Sequence, residues 1–146
     1  MRNTVEATLK HVQFLNRHLN TCDLQCMIVV VLLELGIPTK RSGFDYLKNA
    51  IMLLCEDPAQ LITKGVYPVV GELYNPPIGD QQIEQAIRSA IKEAWKDRNE
   101  RVWGNFFPYD KNGELKKPTN AEFITRIARI LELWQGCQRE VCYERK

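Results

Sequence analysis

The sequence predicts an all-α fold, a compact bundle of about six to seven helices. Three observations carry that expectation. Apolar residues recur at steps of three and four through one segment after another. Glycine, proline and asparagine clusters cut those segments into short helical lengths. The β-branched run Ile28–Val31 is strand-like, but no second such run exists to pair with it. With 146 residues, 45% of them hydrophobic, the chain can bury one sizeable core, so a single domain is expected.

Element by element, residues 4–19 carry Val5, Leu9, Val12 and Leu19 at helical spacing, and Thr21-Cys22-Asp23 offer a break. Residues 24–35 read as an apolar helix stopped by Gly36-Ile37-Pro38. Residues 44–56 repeat the pattern through Phe44, Leu47, Ala50, Ile51 and Leu54. A shorter helix is expected over 61–74, with Val66, Val69, Val70 and Leu73, and with Pro68 in the first turn of its regular part. Asn75-Pro76-Pro77-Ile78-Gly79 forces a turn, after which Asp80 is the expected N-cap of a helix over 80–96. Residues 101–107 predict a short aromatic helix ending at Pro108, and 110–117 a polar loop around Asn112-Gly113. In Pro118-Thr119-Asn120-Ala121-Glu122 the spacing of Thr119 and Glu122 is a capping box. It opens a last helix whose buried face is Ile124, Ile127, Ala128, Leu131 and Trp134. The expected organisation is an N-terminal amphipathic extension over 1–23, the helical domain over 24–135 and a polar tail over 136–146.

Composition narrows the classes of function. Twenty Lys plus Arg against eighteen Asp plus Glu leave a net charge of only +2. That argues against a histone-like binder, so any affinity for nucleic acid must come from a local patch. The longest apolar run, Cys26–Leu33, is far short of the roughly 20 residues that span a bilayer, and the polar first twenty residues are no secretion signal. A cytoplasmic protein without a membrane partner is expected. Five cysteines, none in a CxxC pair, read as reduced thiols. No metal is expected, although Cys22, Cys26, Cys137 and Cys142 could be drawn together around zinc. Cys26 and Cys55 sit in apolar surroundings, as small core residues do. His11 and His18 are the only histidines, and no nucleophile set, phosphate loop or cofactor motif accompanies them. Neither an enzyme nor a cofactor is expected.

The most informative stretch is Asp80–Lys96. Ile83, Ile87, Ala90, Ile91, Ala94 and Trp95 mark one side of a helix as core. Gln81, Gln85, Arg88, Ser89, Lys92 and Lys96 fall on the other side. Glutamine pairs with adenine and arginine with guanine in the major groove, while lysine suits phosphate. The helix over 61–74, the tight turn and this helix together have the arrangement of a helix-turn-helix. Such a pair also occurs in all-helical proteins that never touch DNA.

The order of segments resembles the C-terminal effector-domain family of the sporulation response regulator, stage zero sporulation protein A. The resembling pieces are Glu34-Leu35-Gly36-Ile37-Pro38, Ser42-Gly43-Phe44-Asp45-Tyr46-Leu47 and Val66-Tyr67-Pro68. They continue in Ile83-Glu84-Gln85-Ala86-Ile87-Arg88-Ser89-Ala90-Ile91, Ala94-Trp95 and Lys117-Pro118-Thr119-Asn120-Ala121-Glu122-Phe123-Ile124. The resemblance implies a six-helix domain whose third and fourth helices form the helix-turn-helix. It also implies binding to short DNA boxes, often as tandem dimers, and control of transcription. Glu84 and Arg88 match family positions that face bases, and Lys117 matches one at the DNA backbone. With the reading from composition, the expected base contacts are Gln81, Glu84, Gln85 and Arg88. The expected phosphate contacts are Lys40, Arg41, Ser89, Lys92 and Lys117.

Departures from the family pattern shift these expectations. Gln85 stands where the family has a second base-reading arginine, which moves preference from guanine toward adenine. The turn before the reading helix is about two residues longer and carries Pro76-Pro77. Residues 97–107 correspond to a region the family uses against RNA polymerase sigma factor. Their aromatic content here fits core as well as contact. No stretch before residue 24 reads as a receiver domain, so control by phosphorylation is not expected, and the first helix is a candidate either to cover a core edge or to mediate homodimerisation. A protein–protein module of the same fold, acting on another transcription regulator, is the alternative function.

Overall fold

The computed structural model describes residues 23–144, with side chains described over 24–136. The readings on residues 4–19, His11, His18, Cys22, Cys137 and Cys142 concern backbone or side chains outside that description. The described chain is all helical: α1 Asp23–Glu34, α2 Ser42–Glu56, a π-helical turn Ile62–Val66, α3 Tyr67–Glu72, α4 Asp80–Lys96, α5 Glu100–Phe106 and α6 Asn120–Glu144. α2 is the central helix, packed against α1, α4 and α6.

α1 shows why a β-branched run need not be a strand. Met27, Ile28, Val31, Leu32 and Leu35 are all buried, and tertiary packing overrides the weak strand preference of Ile and Val. The helix stops as expected at Gly36, whose φ is 80°. Gly36 N–H donates to the Leu33 carbonyl and Ile37 N–H to the Leu32 carbonyl, both at 3.0 Å. This is a Schellman closure, with glycine taking the left-handed position without penalty from a Cβ.

The 61–74 segment differs from the expectation of one continuous helix. Its first turn is wide: Val66 N–H donates to the Leu61 carbonyl at 2.9 Å, five residues back. Pro68 has no N–H to offer, and its ring would crowd the carbonyl of residue 64, so widening the turn before it removes the conflict. Regular α-helix then begins at Tyr67, with Pro68 in its first turn as the sequence requires. After α3 the chain turns through Asn75-Pro76, a cis peptide, and returns against the C-terminal end of α3. Ile78 N–H donates to the Gly71 carbonyl at 3.0 Å. A Cβ at Gly71 would meet the Ile78 carbonyl oxygen at 2.1 Å, so only glycine permits this return.

The N-cap of α4 is Gly79, one residue before the expected Asp80. Gly79 is extended at φ −71° and ψ 153°, and its carbonyl accepts from Ile83 N–H at 3.1 Å. Asp80 instead places a carboxylate in the first turn, where it complements the helix dipole. At α6 the capping box is present in both halves. Glu122 N–H donates to Thr119 Oγ1 at 3.2 Å, and Thr119 N–H to Glu122 Oε1 at 3.1 Å. α6 then runs past residue 135 to Glu144, because Gly136 is followed by no proline or other stop.

Polar ties fasten the helices across the core. The Tyr74 hydroxyl donates to Asp45 Oδ2 and accepts from Asn49 Nδ2 at 3.0 Å, fixing the end of α3 to α2. Burial tends to raise the Asp45 carboxyl, but hydrogen bonds from Tyr74 and Lys48 outweigh it and hold the group below its ordinary value. A carboxyl lowered by folding stabilises above its unfolded value, and that contribution is lost as pH falls through the folded one. Tyr74→Phe is therefore expected to cost roughly 1 kcal/mol at neutral pH. The deficit should shrink in acid, below the 3.8 of a free aspartate. Denaturant titrations of both proteins at neutral and acid pH check this, and a deficit that grows in acid would refute it.

Candidate nucleic-acid interface

α4 carries the site. Ile83, Ile87, Ala90, Ile91 and Ala94 are buried against α2, α3 and α6. Gln81, Gln85, Arg88, Ser89, Lys92 and Lys96 are all exposed, as their spacing requires. Glu84 lies between the two faces and is half-buried. It pairs with Arg88 one turn on, in the favourable order with the acid N-terminal. The pair holds the guanidinium against the helix instead of letting it trail through solvent.

Two tertiary features fix how α4 is presented. The first is the close approach of α2, where a Cβ at Gly43 would meet the Ala86 carbonyl oxygen at 2.4 Å and the Ala90 Cβ at 2.8 Å. The N-terminus of α2 thus lies hard against the flank of α4. The second is Asn120, whose Nδ2 donates to the Glu84 carbonyl at 2.9 Å and ties the start of α6 to the middle of α4.

These ties sort the expected contact residues into two groups. A concavity of about 330 Å³ brings together Glu84, Arg88, Lys117 and Asn120, with Tyr67 and Thr63 on its wall. Residues expected from separate motifs are therefore neighbours in space. Burial pushes the Tyr67 phenol up, partly offset by its hydrogen bond with Asn120, so Tyr67 stays neutral and serves as a donor or acceptor only. On the other flank of α4, a shallower groove is lined by Arg41, Ser42, Gln82, Gln85 and Ser89. Gln82 was not expected there, although positions 82, 85 and 89 share a helical row that a wheel would have shown. Gln81 and Lys92 are exposed but line neither hollow.

Charge is less free than the sequence suggests. Arg41 Nε is ion-paired with Glu93 Oε2 at 2.6 Å, and Arg88 is paired with Glu84. Lys40, Lys92 and Lys117 make no ion pair among the described residues. Trp103, Phe106 and Phe107 are buried, so the aromatic segment belongs to the core. What α5 and its approach expose is Asp97, Asn99, Glu100 and Arg101.

Among the described residues, no group of His, Cys, Asp and Glu side chains is placed to hold a metal. None of the described helices is long and apolar enough to cross a membrane. Cys26 and Cys55 are half-buried free thiols, and burial pushes Cys55 up to about 11. Residues 28–131 match the model of the protein family described as "Sporulation initiation factor Spo0A C terminal". The matched span runs from the first buried turn of α1 to Leu131 in α6 and contains the whole of α4.

Proposed function

The chain belongs to the Spo0A C-terminal family and is a DNA-binding transcription regulator, and from that premise we propose that α3 and α4 act as a helix-turn-helix reading double-stranded DNA. One observation carries this reading. A row of glutamine, arginine and lysine side chains stands exposed along α4, while every apolar residue beneath it anchors the helix to the core. α3 braces α4 through the return at Gly71 and Ile78.

In the proposed pose Gln81, Gln85 and Arg88 reach base edges, with Glu84 orienting Arg88 or accepting from cytosine. Ser89, Lys92, Lys117, Lys40 and Arg41 hold phosphates on either side, Lys117 beside Arg88 and Arg41 beside Gln85. Gln85 favours adenine where a second arginine would favour guanine.

Guanine N7 lies in the major groove and is methylated by dimethyl sulfate, which gives the pose a chemical test. Protection of a guanine N7 in bound duplex is expected, and its loss in an Arg88→Ala variant. Protection confined to adenine N3 would place the protein in the minor groove and overturn the pose.

Lys117→Ala separates phosphate from base contact. It should weaken binding to all sequences alike and lower the slope of log K against log salt by about 0.9, the share of one phosphate. Titrations of a specific and a scrambled duplex over a salt series measure both effects. A loss confined to the specific duplex would make Lys117 a base reader instead.

Two partners follow in the same proposal. With a net charge of +2, one copy on one short box gains little electrostatic affinity, and a homodimer on adjacent boxes multiplies it. The surface left for RNA polymerase sigma factor is Asp97, Asn99, Glu100 and Arg101, since the aromatics of α5 are core. A cytoplasmic location belongs to the same proposal.

A further inference from the structure

Arg41 occupies an unusual place. It is the N-cap of α2, yet it makes no side-chain capping bond, and a cation at the positive end of a helix gains nothing from the dipole. Its position beside α4 is enforced, because Gly43 two residues on is pressed against Ala86 and Ala90. From there its guanidinium reaches Glu93 at 2.6 Å, on the same flank of α4 as Gln85 and Ser89. Both side chains remain about half exposed, at 57% and 44%, so the pair is open to competition from solvent-borne anions.

A carboxylate and a phosphate present the same chemistry to a guanidinium: two acceptor oxygens in one plane. Glu93 therefore occupies the bond that a DNA phosphate would make, and it places a negative charge on the helix that approaches the duplex. We propose that Glu93 limits DNA affinity by holding Arg41, and that binding exchanges the Arg41–Glu93 ion pair for an Arg41–phosphate pair. This rests on the reading of α4 as the DNA-facing helix. It assigns Glu93 a role that neither its position on the helix nor its charge alone implies. Two other arginines near α4 are also paired: Arg88 with Glu84, and Arg98 with Glu100, while Arg98 lies over the Trp95 ring at 3.8 Å.

A double-mutant cycle tests the exchange. Glu93→Gln, Arg41→Met and the double variant are titrated with one specific and one scrambled duplex over a salt series. Exposed ion pairs are weak, so Glu93→Gln is expected to tighten binding by roughly two- to fivefold. The tightening should appear on both duplexes, because phosphate carries no sequence. In the Arg41→Met background the same change should give little or no gain. An equal gain in both backgrounds would overturn the proposal, since Glu93 would then act as a repulsive charge independent of Arg41. No gain, or weaker binding, in the Arg41 background would overturn it as well. A stable fold for each variant is checked by circular dichroism. Failure of the underlying reading has a different signature, because no member of the cycle would then prefer the specific duplex.

Discussion

Alanine at position 103 is expected to cost about 3–5 kcal/mol of stability, the usual range for removing a buried tryptophan. Trp103 has no exposure to solvent, and its ring is stacked on Phe107 at 5.4 Å and edge-on to Trp95 at 5.4 Å. Phe123 of α6 closes the cluster at 6.0 Å. The indole N–H donates to the Leu35 carbonyl at 3.2 Å, one of the carbonyls at the end of α1. One side chain thus joins α5 to α1, α4 and α6. Its loss empties the cluster and leaves a buried acceptor without a partner. Trp103→Phe separates the two effects, because it keeps most of the volume and removes only the donor, for roughly 1–3 kcal/mol. Domains of this size are stable by about 5–15 kcal/mol, so Trp103→Ala should fold only marginally. Urea unfolding of the three proteins measures the series. A loss below about 1 kcal/mol for alanine would contradict this picture of the core.

Arg88→Ala should be the most damaging single change on the proposed DNA-reading face. A bidentate arginine–guanine contact is worth about 1–3 kcal/mol of discrimination, which is roughly 5- to 150-fold in affinity. The loss should be greatest on the preferred sequence and flatten preference at one base pair, while scrambled DNA loses only the smaller, sequence-independent share that comes from the change in charge. Removing Arg88 also strips Glu84 of its partner, so the released carboxylate would face the duplex alone. Glu84→Gln in the Arg88→Ala background removes that repulsion, and the remaining deficit is the share of the arginine. Titration against the preferred duplex and its single-base variants reads the pattern. Unchanged discrimination at every position would mean that Arg88 does not read a base.

The helices were legible because their signals are local. Apolar spacing, the Gly36-Ile37-Pro38 stop, the Thr119–Glu122 capping box and the place of Pro68 are each settled within one or two turns of chain. The exposed row of α4 followed from the same periodicity. What could not be read depends on where distant segments meet. The close approaches at Gly43 and Gly71 appear in the sequence only as ordinary glycines. The Asn120 bond to the Glu84 carbonyl joins two motifs 36 residues apart, and no spacing rule announces it. Arg41 reads in sequence as a free positive charge beside Lys40, whereas in space it is already paired with Glu93. The same holds for Cys55, an apolar neighbour in sequence and a half-buried thiol that donates to the Ala128 carbonyl at 3.9 Å in the fold. The shift of the α4 cap to Gly79 shows the limit of cap preferences when a neighbouring turn sets the backbone first.

Selection of binding sites from a random pool of duplex DNA, with the winning duplex then titrated over a salt series, is the decisive test of α4 as a sequence reader. The expected result is enrichment of a short motif holding at least one guanine, with adenine at the step Gln85 faces and affinity that falls steeply with salt. A pool that stays flat, with only weak and salt-sensitive binding, would contradict sequence reading and leave phosphate contact alone.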